Sequence, residues 1–101
     1  MGITCTGKDR ELCISLSGEV DHHHARGIMD AMGHEIDAEL PRRVTLDLGG
    51  VSFMDSSGIA VVLRCYKRVG ELGGVVSVRN VPDSAAKVLR CAGLDKLIKF
   101  E

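Results

Sequence analysis

Residues 44–72, VTLDLGGVSFMDSSGIAVVLRCYKRVGEL, change period partway along, and that change restricts the fold more than any other stretch of the chain. Val44, Leu46 and Leu48 alternate with Thr45 and Asp47, the mark of a strand with one apolar face. Gly49-Gly50 is expected to end this strand. Val51 and Phe53 then lead into a polar knot, Asp55-Ser56-Ser57-Gly58. Beyond the knot the period becomes helical. On a helical wheel Ile59, Val62, Leu63, Tyr66 and Val69 lie opposite Ser57, whereas Ala60, Val61, Arg64 and Arg68 lie on its side. The expectation is a strand, a loop and a helix, with Ser57 at the helix start and turned away from the core.

The flanks repeat the alternation of strands and helices. Ile3–Thr6 reads as a short strand and Gly7-Lys8-Asp9-Arg10 as a turn. Leu12, Ile14 and Leu16 form a second strand, hairpinned to the first and closed by Gly18. Asp21 is a fitting N-cap, since its carboxylate can accept from free amides of the first helical turn. Ala25, Ile28, Met29, Met32, Ile36 and Leu40 then follow at helical spacing, with Arg26, Asp30, His34 and Asp37 opposite, until Pro41 stops the helix. Gly73-Gly74 caps the helix after Ser57, and Val75, Val76 and Val78 make another strand. Pro82-Asp83-Ser84 starts a third helix with Ala85, Val88, Leu89 and Ala92 on its apolar side. Gly93-Leu94 has the form of a left-handed cap, and residues 97–100 are expected to be a final short element, a strand or a helical turn with strand preferred. The order predicts an α/β domain over residues 1–101, with a mixed, mostly parallel sheet, right-handed crossovers and helices mainly on one face.

Composition narrows the function classes. With 101 residues, 45% of them hydrophobic, the chain can bury a core of its own. A net charge of −1 supplies no bulk basic field for nucleic acid or an anionic membrane. Phe53, Tyr66 and Phe100 are too few for a base-stacking platform. No apolar run reaches membrane-spanning length and the N-terminus lacks a signal-peptide pattern, so a cytoplasmic location is expected. Cys5, Cys13, Cys65 and Cys91 lack metal-ligand spacing and read as buried free thiols. His22-His23-His24 cannot converge on one ion from a helix, because consecutive side chains point about 100° apart. No metal site is expected, and no phosphate-cradling glycine loop is visible.

Taken alone, Asp55-Ser56-Ser57 is consistent with a plain helix cap. VSFMDSSGIAVVLRCYKRV, however, resembles the phosphorylation-site segment of STAS domains, and in particular of bacterial anti-sigma factor antagonists of the sporulation type. GEVDHHHA and VPDSAAKVLRCAGLDKLIKF resemble the same family in the same order. The resemblance implies that Ser57, the second serine of D-S-S-G, is phosphorylated, with Ser56 as a cap or loop hydrogen-bonding group. It implies a partner that is both anti-sigma factor and serine protein kinase, with ATP held in the kinase's own site, and a phosphoserine phosphatase that reverses the mark. On this reading the chain is not an enzyme, needs no cofactor, touches neither nucleic acid nor membrane, and is a monomer when free. The partner-binding set is Asp21, Asp55, Ser56, Ser57, Gly58, Ala60, Val61 and Arg64, with Arg64 expected to meet an acidic partner residue. Asp47 either orients the loop bearing Asp55 or is a plain exposed strand aspartate.

Two other classes are consistent with parts of the pattern. An enzyme with Ser57 as nucleophile needs a base within reach, and the motif is not G-x-S-x-G. A non-switching scaffold of the stressosome type would share the fold without the phosphate-dependent change in binding.

Overall fold

The computed structural model describes residues 2–101. Five strands form one sheet in the order β1-β2-β3-β4-β5: β1 (Gly2–Lys8), β2 (Glu11–Val20), β3 (Arg43–Met54), β4 (Val75–Arg79) and β5 (Lys99–Phe100). The β1–β2 hairpin is antiparallel and every other pairing is parallel. Three helices make the crossovers: α1 (His22–Glu39), α2 (Ser57–Glu71) and α3 (Asp83–Cys91). A single 3-10 turn, Leu94–Lys96, leads into β5.

Leu12, Ile14 and Leu16 of β2, Val44, Leu46 and Leu48 of β3, and Val76 and Val78 of β4 all point to the helix side and are buried. Their neighbours Cys13, Ser15, Thr45, Asp47 and Ser77 are only partly covered. One face of the sheet thus carries the core and the other is open, as the alternation implies.

The hairpin turn is tighter than the expected four residues. Asp9 and Arg10 take it alone, both with positive φ (54° and 64°), the geometry that matches the twist of adjoining strands. α1 buries Ala25, Ile28, Met32 and Ile36. Leu40 leaves the expected stripe because it is the left-handed C-cap, 46% exposed, with its carbonyl accepting from the Arg10 guanidinium. At the end of α2, Gly73 takes φ 77°, and the Gly74 and Gly73 amides donate to the Val69 and Gly70 carbonyls. These bonds form a Schellman cap, which only a residue tolerant of positive φ closes cheaply.

Two expected strand ends are not ends. Gly18 lies inside β2, and Gly49-Gly50 lie inside β3, which continues to Met54. Ser15 and Ser17 pair with Asp47 and Gly50, and Gly18 and Glu19 pair with Val51 and Phe53. β3 therefore accommodates an extra residue twice against β2. Each extra residue resets which side chains face inward, as a bulge does. The buried positions along β3 run Val44, Leu46, Leu48 and then Val51 and Met54. Phe53, inward by simple alternation from Val51, is turned out and is 48% exposed. A Cβ on Gly50 would lie 2.9 Å from that of Ser17, so this pairing needs glycine.

The cysteines also depart in part from expectation. All four are free, but Cys65 alone is buried and Cys91 is exposed on α3. Burial pushes the Cys65 thiol up to about 12, so it remains a protonated, unreactive core group.

Candidate functional site: a carboxylate joining two helix starts

α1 and α2 each connect parallel strands and run in the same direction, so both helices start at one rim of the sheet. Asp21 caps α1, its Oδ1 accepting from the His24 backbone N–H at 3.1 Å and lying 2.7 Å from His24 Nδ1. Burial opposes ionisation of Asp21, but the His24 ring and amide outweigh it and hold the carboxyl below the ordinary carboxylate value.

At the start of α2 the work passes to Asp55. Its Oδ1 accepts from the Ser57 N–H at 2.8 Å, and its Oδ2 accepts from the His22 N–H at 3.3 Å. The Asp55 amide in turn donates to the Val20 carbonyl at 3.2 Å. One carboxylate thus satisfies a free amide in each of two helices, where the positive ends of their dipoles favour negative charge. Ser56 occupies the N-cap position but makes no side-chain capping bond, which corrects its expected role. Asp55 displaces it because a carboxylate accepts two amides at once, where Ser56 would have only one hydroxyl oxygen to offer.

Ser56 is exposed and Ser57 is half-buried in the first turn. Down α2 the exposed stripe on the Ser57 side is Ala60, Arg64, Lys67 and Glu71. The helical wheel placed Val61 and Arg68 there, and both assignments are corrected. Val61 is 0% exposed, because α2 is the central helix, packed between α1, α3 and the sheet, and buries more than half of its circumference. Gly58 is buried too, and a Cβ there would run into the Met54 side chain. Neither residue offers a side chain to a partner. Arg68 points to α1, where its Nε donates to Asp37 Oδ1 at 2.7 Å.

Asp47 does not reach the Asp55 loop. Its carboxylate receives the Gly49 N–H at 2.9 Å and, at 3.3 Å each, the Asn80 amide and the Arg79 guanidinium. Those bonds, the Gly49 one foremost, hold the carboxyl low despite its partial burial. Asp47 braces the first bulge of β3 against the end of β4.

Periodicity missed Phe53, since nothing in the local sequence marks the second bulge. Its cross-strand partner Glu19 is exposed beside it on the same rim. His22 and His23 are exposed, their rings edge-to-face at 6.0 Å. Among the described residues no helix is long and apolar enough to cross a membrane.

A five-stranded sheet with an antiparallel edge, three helices on one face and a serine at the second helix start is the architecture of a STAS domain. The STAS family model matches residues 3–101, and the chain belongs to that family. An anti-sigma F factor antagonist from Paenibacillus polymyxa is 34% identical over 87 residues, 86% of this chain and 74% of that protein. The structure of the anti-sigma factor antagonist SpoIIAA in its unphosphorylated form superposes with a TM-score of 0.84 at 25% identity, covering 99% of this chain and 88% of SpoIIAA. The Bacillus cell fate determinant SpoIIAA in its phosphorylated form superposes with a TM-score of 0.76 at 24% identity, covering 99% and 91%. Within the STAS family these relatives place the chain among the anti-sigma factor antagonists.

Proposed function

We propose that the protein, unphosphorylated, binds an anti-sigma factor that is also a serine kinase, thereby freeing a sigma factor, and that phosphorylation of Ser57 switches this binding off. The observation that carries the reading is the Asp55 joint, which fixes Ser57 at the mouth between two helix starts. Ser57 heads an exposed stripe through Ala60 and Arg64, with Ser56 and the rim residue Phe53 nearby in sequence. The partner surface is therefore Asp21, Asp55, Ser56, Ser57, Ala60 and Arg64, with Phe53 added and Gly58 and Val61 removed.

In the transfer step the Ser57 Oγ attacks the γ-phosphorus of ATP held by the kinase. The O–P bond to ADP breaks and the hydroxyl proton passes to a base of the kinase. This chain supplies the nucleophile and its position and acts as a regulator, not as an enzyme. A helix N-terminus accommodates the product phosphate, so the fold persists. The phosphate adds about −1.5 to −2 charge at neutral pH, next to the Asp55 carboxylate. Burying that charge without full pairing costs several kcal/mol. A loss of about 3–4 kcal/mol weakens a complex several-hundredfold. A phosphatase that removes the phosphate restores binding.

The test is to mix the protein with the anti-sigma factor of its own organism and Mg-ATP. Peptide mass spectrometry then locates the phosphate, and calorimetry gives the affinity before and after. Phosphate on Ser57 with the stated loss supports the switch. Phosphate on Ser56 alone moves the site by one residue and rejects the Ser57 assignment. Unchanged affinity after modification of Ser57 leaves a constitutive binding module.

A further inference from the structure

α1 and α2 are tied together twice. Asp55 joins their first turns, and the Arg68–Asp37 pair, 2.7 Å apart, joins them near their far ends. Around the second tie lies a groove of about 520 Å³, lined by Met29, Gly33 and Asp37 of α1 and by Arg64, Cys65 and Lys67 of α2, among others. Gly33 stands one turn before Asp37, and Arg64 one turn before Arg68, so the two sit at the same level of the groove.

Gly27, Gly33 and Gly70 all lie inside helices with open space where a Cβ would be, and of the three Gly33 lines this groove. Glycine inside a helix is less stable than alanine, and here no close approach within the chain requires it. A Cβ built on Gly33 would meet nothing within 4 Å. The missing side chain therefore serves no packing purpose in the free protein and leaves the middle of the groove open. The groove also adjoins the stripe that begins at Ser57, because Arg64 and Lys67 belong to both. Charge is uneven along its walls. Arg68 is engaged by Asp37 and Glu71, whereas Arg64 and Lys67 make no salt bridge among the described residues.

We infer that this groove is a second part of the docking surface and receives a segment of the anti-sigma factor that carries a carboxylate beside an apolar side chain. The carboxylate meets Arg64 and Lys67, the apolar side chain packs on Met29, and Gly33 lets the segment approach closely. The inference rests on the function proposed above and adds where, beyond the serine, the partner lies. It also gives the phosphate a longer reach. A phosphate on Ser57 stands about 10 Å along α2 from Arg64 and repels the same acidic segment, which Debye screening reduces but does not remove over that distance.

The test uses the full chain and the purified anti-sigma factor, with binding measured by calorimetry. Gly33→Trp and Gly33→Gln fill the groove, and Ala38→Trp adds the same bulk at an exposed position of α1 outside it. Gly33→Ala is expected to raise Tm by about 4 °C, because the helix gains stability at no steric cost. Gly33→Trp and Gly33→Gln are expected to weaken binding about tenfold or more, with Ala38→Trp within about twofold of wild type. Wild-type affinity in both bulky Gly33 variants, or an equal loss in Ala38→Trp, overturns the groove and leaves the Ser57 reading intact. Absence of binding by the wild-type protein overturns both.

Discussion

The starts of α1 and α2 look alike in sequence, each an aspartate followed by small or polar residues, yet they are built differently. Asp21 serves its own helix, with every bond going to His24, three residues on. Asp55 serves two helices, one of them 33 residues away. The first is a cap and the second is a joint. A cap sets where one helix begins, whereas a joint also sets where two helices lie relative to each other. Ser57, the proposed phosphorylation site, is on the joint. On the proposed function position matters most there, because the kinase would have to find the hydroxyl and the partner the surface around it.

Substitutions that treat the two starts differently separate cap from joint. Asp55→Ala removes both bonds of the joint and is expected to cost about 2 kcal/mol in urea unfolding, as for a charged hydrogen-bond acceptor with two buried or helical donors. It also weakens anti-sigma binding, while an equal loss in Asp21→Ala would erase the distinction. Gly58→Ala, which pushes on Met54 under the joint, is expected to cost about 1–2 kcal/mol, since the flexible methionine yields only in part. A melt unchanged from wild type would show that the first turn of α2 is loosely seated.

Asp21→Ala is expected to destabilise the fold less than Asp55→Ala in urea unfolding, as loss of an N-cap does, with anti-sigma affinity changed far less than by Asp55→Ala. Its pH dependence has a defined sign. The folded Asp21 carboxyl lies below its ordinary value of 3.8. Its stabilisation is therefore complete above that value and is lost as pH falls through the lower, folded value. The stability gap between wild type and Asp21→Asn should be present in mild acid and close as pH falls below 3.8. A gap that persists undiminished well below that value would contradict the bonding to His24. The smallest effect belongs to His24→Ala, which keeps the backbone bond to Asp21 and loses the ring contact. About 0.5 kcal/mol is expected for such a partly exposed pair.

Much of this molecule is legible in short windows of sequence. The alternation of Leu12, Ile14 and Leu16 and of Val44, Leu46 and Leu48 marks two strands and the side they bury. The Asp21 cap, the Gly73-Gly74 terminus and the positive φ of Gly93 follow from chemistry within a few residues. The resemblance carried by D-S-S-G led to the family and to Ser57. The errors share one cause. A helical wheel puts Val61 on the surface because it assumes one covered face, and α2 is covered on three sides. Phe53 was passed over because period two assumes an unbroken register, and β3 breaks its register twice against β2. One of the two readings of Asp47 puts it at the Asp55 loop, but Gly49, Arg79 and Asn80 claim its carboxylate.

The sequence by itself determined the order of the elements, their caps, the core face of each strand and the family. Each of those depends on torsional preference, periodicity or hydrogen bonds that close over a few residues. The tertiary structure alone decided which side chains of α2 remain exposed, that Phe53 faces outward, that Asp55 also holds the start of α1 through His22, and that Gly33 and Arg64 face one groove. Those outcomes depend on neighbours far away along the chain, whose positions exist only once the sheet has set the spacing of the helices.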